Sequence, residues 1–242
     1  MNRRPRTETR HDPLTDRHRS DSRLADIVLG GQDGLVNVLG MVLGVAAATG
    51  STRVVLVAGL AAGFAGSISM GGVAYTSTRA AGDLFKSEKA REYRHVERTP
   101  EIERQEVRDI YAAKGFEGEL LERIVDTITA DKDVWVAIMM SEEHHLTDVD
   151  QRTSLKAAAI VGGSSLLGSL LPLVPFLLLP VMPGAATSVA LAAVILFALG
   201  VYKAKVTIGH PLKSGLELAL IGVASAVMGY GVGAILQVPS EP

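Results

Sequence analysis

The feature that most constrains this chain is a set of five long apolar stretches. Three of them carry no charged residue, and the other two carry one carboxylate each, Asp33 and Glu217. A helix that crosses a bilayer core about 30 Å thick needs roughly 20 mostly apolar residues. We therefore expect an all-α integral membrane protein with five transmembrane helices. The stretches cover residues 27–49, 54–77, 157–182, 185–202 and 214–238.

The charged residues lie almost entirely outside these stretches. Of 24 Lys and Arg residues, seven lie in residues 1–23 and thirteen in residues 79–156, where 18 Asp and Glu accompany them. The arginine-rich tail has no apolar core of its own, so we expect it to be disordered. The predicted division of the chain is a disordered cytoplasmic tail (1–23), transmembrane helices 1 and 2 (24–78), a cytoplasmic helical insertion (79–154) and transmembrane helices 3 to 5 (155–238).

Basic residues in the connections predict the orientation. They are abundant in the tail, in the insertion and in the link that holds Lys203, Lys205 and Lys213. They are sparse in the link between the first and second spans, which has only Arg53, and in the link between the third and fourth, which has none. Because positive charge stays on the cytoplasmic side, we expect the N-terminus inside and the C-terminus outside. A short link is expected at Pro183 and Gly184, and we expect other prolines to kink or end the third span.

Composition excludes several functions. With no cysteine in the chain, disulfides, thiolate zinc sites and cysteine nucleophiles are impossible. The formal net charge of −2 gives no reason to expect nucleic acid as a partner.

The insertion has a helical pattern throughout. The helix of the second span is expected to continue over residues 79–98, and Pro100 suits the first turn of a new helix that ends near Gly115. A short helix is expected over 117–130, and a last one from about Asp131 that leads to the third span.

Acidic residues in these helices recur at spacings that share a helix face. Glu92 with His95, and Glu103 with Glu106, are three residues apart, and Glu143 follows Met139 and Met140 at four and three. Carboxylate and imidazole ligands from separate helices can hold iron or manganese. Composition alone favours a solvated, mixed-charge helix face for the acidic residues and a role in the core for the methionines. The metal-ligand interpretation stays open beside it at this point.

Polar groups also lie inside the predicted spans. Asp26 and Asp33 are seven residues apart and share a face of the first span, and Asn37 continues it. A carboxylate within a span is costly and usually faces a cavity or partner, which favours a functional role for Asp33. A membrane bundle with such carboxylates and an acidic cytoplasmic domain suggests cation transport.

Four segments carry a resemblance to a known family. They are DIVLGGQDGL at residues 26–35, AGSISMG at 65–71, REY at 91–93, and the segment from Trp135 through Met139 and Met140 to Glu143. With the order of two spans, an insertion and three spans, residues from about Leu24 to Val238 resemble the vacuolar iron transporter family, including its bacterial members.

The resemblance implies a homodimer of five-span subunits in the lipid bilayer that exports Fe²⁺, and often Mn²⁺, from the cytosol in exchange for protons. It implies no enzyme activity and no prosthetic group; Fe²⁺, Mn²⁺, Zn²⁺ or Co²⁺ would be substrate and domain-bound ion. Short loops and the Ala, Gly and Arg usage suggest a bacterial inner membrane. By position, the implied pathway residues are Asp26, Asp33 and Met70, and the implied metal ligands are Glu92, His95, Glu103, Glu106, Met139, Met140 and Glu143.

Two positions depart from the plant members of the family. His95 stands where they usually have glutamate, and Ala62 stands where some carry one. Imidazole still binds iron, but its protonation near pH ~6.5 would make the site sensitive to pH. The missing carboxylate at Ala62 leaves the route of proton coupling open.

Two other functions remain as alternatives. One is a membrane-anchored, ferritin-like iron oxidase, a class whose di-iron bundles use two Glu-x-x-His pairs; Glu92 with His95 is a pair of this kind. The other is a metal sensor that does not transport, which leaves Asp33 inside the first span without a purpose.

Overall fold

The computed structural model describes residues 22–144, 146, 151–207 and 209–236. Within these ranges every regular element is a helix, as the sequence predicts. The disordered tail expected at 1–23 lies outside the described residues, apart from the start of the first helix at Ser22. The α-helices are α1 (Ser22–Thr49), α2 (Thr52–Arg98), α3 (Pro100–Ala113), α4 (Gly118–Thr129), α5 (Lys132–Ile138), α6 (Gln151–Leu170), α7 (Val174–Leu178), α8 (Val181–Val206) and α9 (Pro211–Ile235).

Five helical segments of the described chain are long and apolar enough to cross a membrane. They are Leu24–Thr49, Thr52–Arg98, Arg152–Leu178, Val181–Val206 and Pro211–Ile235. Many large apolar side chains on these segments face outward; Ile68 is 77% exposed and Leu220 65%. Such surfaces suit lipid and not water, so the chain is a multi-pass membrane protein.

Prolines break the third span, as predicted. A 3₁₀ turn at Leu171–Leu173 separates α6 from α7. The link before the fourth span is displaced from its predicted position at Pro183 and Gly184. The break is at Leu179 and Pro180, where Leu179 is extended, as a residue before proline prefers. Pro183 lies in the first turn of α8. Backbone N–H groups in a first turn have no acceptor within the helix, so the lack of an N–H in proline removes no hydrogen bond there.

The first helix is the centre of the membrane bundle. It packs against α2, α6, α8 and α9. Its buried apolar side chains share one core with α2, α7, α8 and α9; the members from α1 are Leu35, Val38, Leu39, Val42, Leu43 and Ala46.

Glycines bring the backbones of α1 and α9 into contact. A Cβ atom added at Gly229 would lie 1.8 Å from the carbonyl oxygen of Gly40, and one added at Gly233 would lie 1.9 Å from that of Gly44. Gly40 and Gly44 therefore pack against a helix of their own chain.

The insertion forms a separate helical domain around its own core. The distal half of α2 joins α3, α4, α5 and a π-helix, Met139–Glu143. The bounds agree with the predicted helices to within a few residues. Trp135, Val107, Val125 and Val136 are among the buried residues of this core.

Candidate functional site

The break between α2 and α3 brings their acidic faces together. Glu92 and His95 lie near the end of α2, which stops at Arg98, and Pro100 begins α3. The chain turns at Thr99, so Glu103 in the first turn of α3 faces back toward α2. His95 Nδ1 lies 3.4 Å from Glu103 Oε1 and 3.7 Å from Glu92 Oε1.

The π-helix supplies the third side of this site. Its wider turn, marked by the bond from the His144 N–H to the Met139 carbonyl (3.3 Å), orients the residues that follow Met140. Glu143 reaches the same pocket as the α2 and α3 residues. His144 Nε2 lies 3.1 Å from Glu92 Oε1. Single-turn π segments inside helices often occur at functional sites.

One pocket of about 380 Å³ is shared by the five polar residues that the sequence singles out. We call this group the acidic pocket; it consists of Glu92, His95, Glu103, Glu106 and Glu143. Arg91 and Arg98 lie at its wall. The carboxylates belong to three separate elements: α2, α3 and the π-helix. The folding of the chain therefore brings them together, since no single helix carries them all.

Two of these carboxylates are buried without full hydrogen bonding. Glu92 is 2% exposed and Glu103 4%. Among the described residues, Oε2 of each has no hydrogen-bond partner. Burying a carboxylate oxygen without a partner is unfavourable. A bound cation would supply the missing interaction.

The acidic neighbours also shift the pKa of the pocket carboxyls. Burial, followed by the charges of Glu106, Glu92 and Glu143, raises the pKa of Glu103 from 4.5 to about 7. Burial also raises the pKa of Glu143, although the nearby His144 opposes this. Carboxylates that repel one another in this way favour a divalent cation among them.

The two methionines lie outside the lining of this pocket. Met139 is fully buried and Met140 nearly so, and both pack in the core of the insertion domain. Their position fits the core interpretation, and a thioether contact to the ion stays a prediction.

The predicted pathway residues lie in the membrane bundle. Asp26 and Asp33 are half-buried on α1, and Met70 is half-buried on α2. Neither aspartate makes a hydrogen bond or ion pair with another side chain in the described part of the structure. Gly34, next to Asp33, lies against α6, where an added Cβ would be 2.0 Å from the Ser165 carbonyl oxygen.

Sequence reasoning did not identify the contact between His144 and Glu92. His144 stands three positions after Ser141 and not after a glutamate, so it forms no Glu-x-x-His pair. Its partner, Glu92, is 52 positions away along the chain. The only available signal was a histidine directly after the acidic pair Glu142 and Glu143.

Comparison with known proteins identifies the family. A sequence model described as the VIT family matches residues 24–234, nearly the whole described chain. The chain belongs to the VIT family. It is 30% identical over 235 residues to vacuolar iron transporter 1 of Arabidopsis thaliana, covering 96% of this chain and 94% of that protein.

Other relatives in the VIT family are similar over most of their length. Vacuolar iron transporter 1 of Eucalyptus grandis is 32% identical over 213 residues, 88% of this chain and 86% of that protein. The vacuolar iron transporter of Toxoplasma gondii is 35% identical over 221 residues, 87% of this chain and 73% of that protein. The resemblance drawn from the sequence is thus confirmed, and the VIT family is one of transporters, as expected for a chain that is not an enzyme.

Proposed function

We propose that this protein transports Fe²⁺, and also Mn²⁺, out of the cytosol, with protons moving in the opposite direction. The observation that carries the proposal is the acidic pocket, in which four carboxylates and one imidazole from three elements converge. Oxygen and imidazole ligands suit divalent ions of the first transition series. The names of the VIT relatives point to iron as the transported ion.

In this proposal the insertion domain captures the ion. The buried carboxylates at Glu92 and Glu103 lose the penalty of their unpartnered oxygens when a dication binds. The acidic excess of the insertion, 18 Asp and Glu against 13 Lys and Arg over residues 79–156, raises the local concentration of cations.

The ion then crosses the membrane bundle past Asp26, Asp33 and Met70. A carboxylate in a span is retained at a cost, and this cost is offset when it binds a passing cation. Metal binding favours the ionised form of Asp33, and its protonation favours release. Alternate occupancy by ion and proton therefore couples the two flows at one residue.

We further propose a homodimer in a bacterial inner membrane, with the N-terminus and the insertion domain in the cytosol. The support is the family resemblance and the distribution of basic residues over the connections. The first spans of two subunits would face a shared pathway.

Flux into proteoliposomes tests the transport step. We expect vesicles that contain the protein to take up Fe²⁺ and Mn²⁺, faster with an opposing proton gradient. Asp33→Asn should reduce flux at least tenfold, whereas Glu119→Gln, at an exposed carboxylate of α4, should not change it. Uptake equal to that of empty vesicles would contradict transport and favour a sensor. Full flux in Asp33→Asn would reject the role of this residue.

A further inference from the structure

A second group of metal-ligating side chains adjoins the acidic pocket. Glu88 and Glu92 are one turn apart on α2, and His144 follows the π-helix. One ligand atom from each of the three lies within 4.8 Å of those from the other two. We propose that Glu88, Glu92 and His144 form a second divalent-cation site, which shares the Glu92 carboxylate with the acidic pocket.

The Glu92 carboxylate is the first argument for two ions. Its Oε1 lies 3.1 Å from His144 Nε2 and 3.7 Å from His95 Nδ1, so this one group faces both clusters. The side chain is 2% exposed, and its Oε2 has no hydrogen-bond partner among the described residues. Buried carboxylates with two available oxygens commonly bridge paired metal ions in helical bundles.

Glu88 provides the second argument. Its Oε2 is also buried and forms no hydrogen bond of good geometry within the described chain. It has instead an ion pair with Arg91, whose Nη2 lies 2.7 Å away. The Arg91 side chain is 46% exposed and that of Glu88 is 18% exposed, so water reaches the guanidinium side of this pair. An incoming dication can therefore displace the guanidinium into water.

The ligand set favours a particular class of ion. Bonds of about 2.0–2.2 Å from carboxylate oxygen and imidazole nitrogen require ligand atoms that nearly touch around the metal. The spacing within 4.8 Å meets this requirement after small side-chain rotations. Two carboxylates and one imidazole favour Fe²⁺, Co²⁺ or Zn²⁺ over Mg²⁺ and Ca²⁺, which prefer oxygen alone.

The second site deepens the proposed function, on which it rests, because it gives the insertion domain capacity for two ions at once. It also assigns a role to His144, which the acidic pocket does not use. The shared carboxylate makes the two ions neighbours, so binding at one site is expected to affect affinity at the other.

Equilibrium dialysis of the purified full chain in detergent against Co²⁺ provides the test. We expect Glu88→Gln and His144→Gln each to remove one bound ion, or to weaken it at least tenfold, while the ion in the acidic pocket remains. Glu103→Gln should have the opposite effect and leave the second ion in place. In His144→Gln the visible absorption of Co²⁺ should lose the part that depends on the His144 imidazole and keep the part that depends on His95 in the acidic pocket.

Matched controls exclude a general effect of charge or of histidine. Glu119→Gln removes an exposed carboxylate of the same domain, and His210→Gln removes an exposed histidine before α9. Both should bind as many ions as the unaltered chain. Fluorescence of Trp135, which is buried in the insertion core, reports whether each variant is folded.

The outcomes separate the two proposals. If folded Glu88→Gln and His144→Gln bind Co²⁺ like the unaltered chain while Glu103→Gln loses an ion, the second site is overturned and the acidic pocket stands. If the unaltered chain binds no Co²⁺, both metal sites are overturned. Fe²⁺ flux in proteoliposomes then decides the transport function separately.

Discussion

At the scale of the residue, Glu103 is the group whose chemistry the fold alters most. Its carboxyl is 4% exposed and faces three other carboxylates, which together with burial raise its pKa to about 7. A carboxylic acid in this environment holds its proton near neutral pH unless a cation replaces it. In the proposed function, binding of the ion and release of this proton would therefore be linked.

The metal-free protein should lose stability as pH rises from about 4.5 to about 7, the ordinary and the native pKa of Glu103. In this window the native state keeps a proton that the unfolded chain has released, so a rise in pH favours unfolding. Glu103→Gln should remove the loss and stabilise the chain above pH 7 by roughly 1–3 kcal/mol, since one pKa unit corresponds to about 1.4 kcal/mol.

Thermal unfolding in a chelating buffer, followed by the fluorescence of Trp135, measures this effect. The chain has one tryptophan, so the signal reports the insertion core alone. Glu119→Gln, at an exposed site, should keep the pH dependence of the unaltered chain. A loss of stability of equal size in Glu103→Gln over the same pH window would contradict the assignment.

The residues of the acidic pocket could largely be predicted, whereas His144 could not. A spacing of three residues places Glu92 with His95, and Glu103 with Glu106, on a shared helix face before any fold is known. The family resemblance implies that the two faces belong to one site. The contact of His144 with Glu92 spans 52 positions and follows a π-helix. A turn of a π-helix contains one residue more than a turn of an α-helix, and no local pattern in the sequence predicts where this occurs.

At the scale of the element, close helix packing depends on where glycine occurs. On α9, Gly229 lies against the backbone of Gly40, whereas Gly231, two residues later, has no atom within 4 Å of an added Cβ. The same residue type therefore has different importance at neighbouring positions of one helix.

Gly229→Ala should destabilise the bundle, since its Cβ would lie 1.8 Å from the Gly40 carbonyl oxygen and backbone atoms cannot rotate away. We expect a cost of about 1–3 kcal/mol, as for other overpacked interiors, measured as a lower unfolding temperature in detergent. Gly231→Ala is the matched control and should be neutral. Equal stability of the two variants would show that α1 and α9 do not meet as described.

The elements themselves follow from the sequence because their signals are local. Five apolar stretches of adequate length indicate the spans, and the pattern of the insertion indicates its helices to within a few residues. The link between the third and fourth spans was misplaced because Pro183 and Gly184 resemble a turn. Helix α8 tolerates Pro183 in its first turn, where the backbone N–H groups have no helical partner.

At the scale of the whole molecule, an odd number of membrane crossings would put the start of α1 and the end of α9 on opposite sides of the membrane. The five spans therefore assign each connection to a side once one connection is known. The natural absence of cysteine allows each connection to be labelled on its own.

Single cysteines should show opposite accessibility to a membrane-impermeant maleimide in intact cells. Ser51→Cys, in the link between α1 and α2, should react from outside, because the distribution of basic residues predicts that the tail and the insertion lie in the cytosol. Glu119→Cys, exposed on α4, should react only after permeabilisation. The unaltered chain should take no label. Reaction of both variants from the same side would contradict the five-span arrangement.

Helix α2 runs without interruption for 47 residues from the membrane bundle into the insertion domain. Thirteen residues separate Arg79, its first charge beyond the apolar stretch, from Glu92. At 1.5 Å per residue, an ion bound in the acidic pocket as proposed would lie about 20 Å along α2 from Arg79, more than twice the distance over which ~0.15 M salt screens a charge. Charges at the two ends of this segment would then be largely screened from each other, and an ion would move from one end to the other by diffusion.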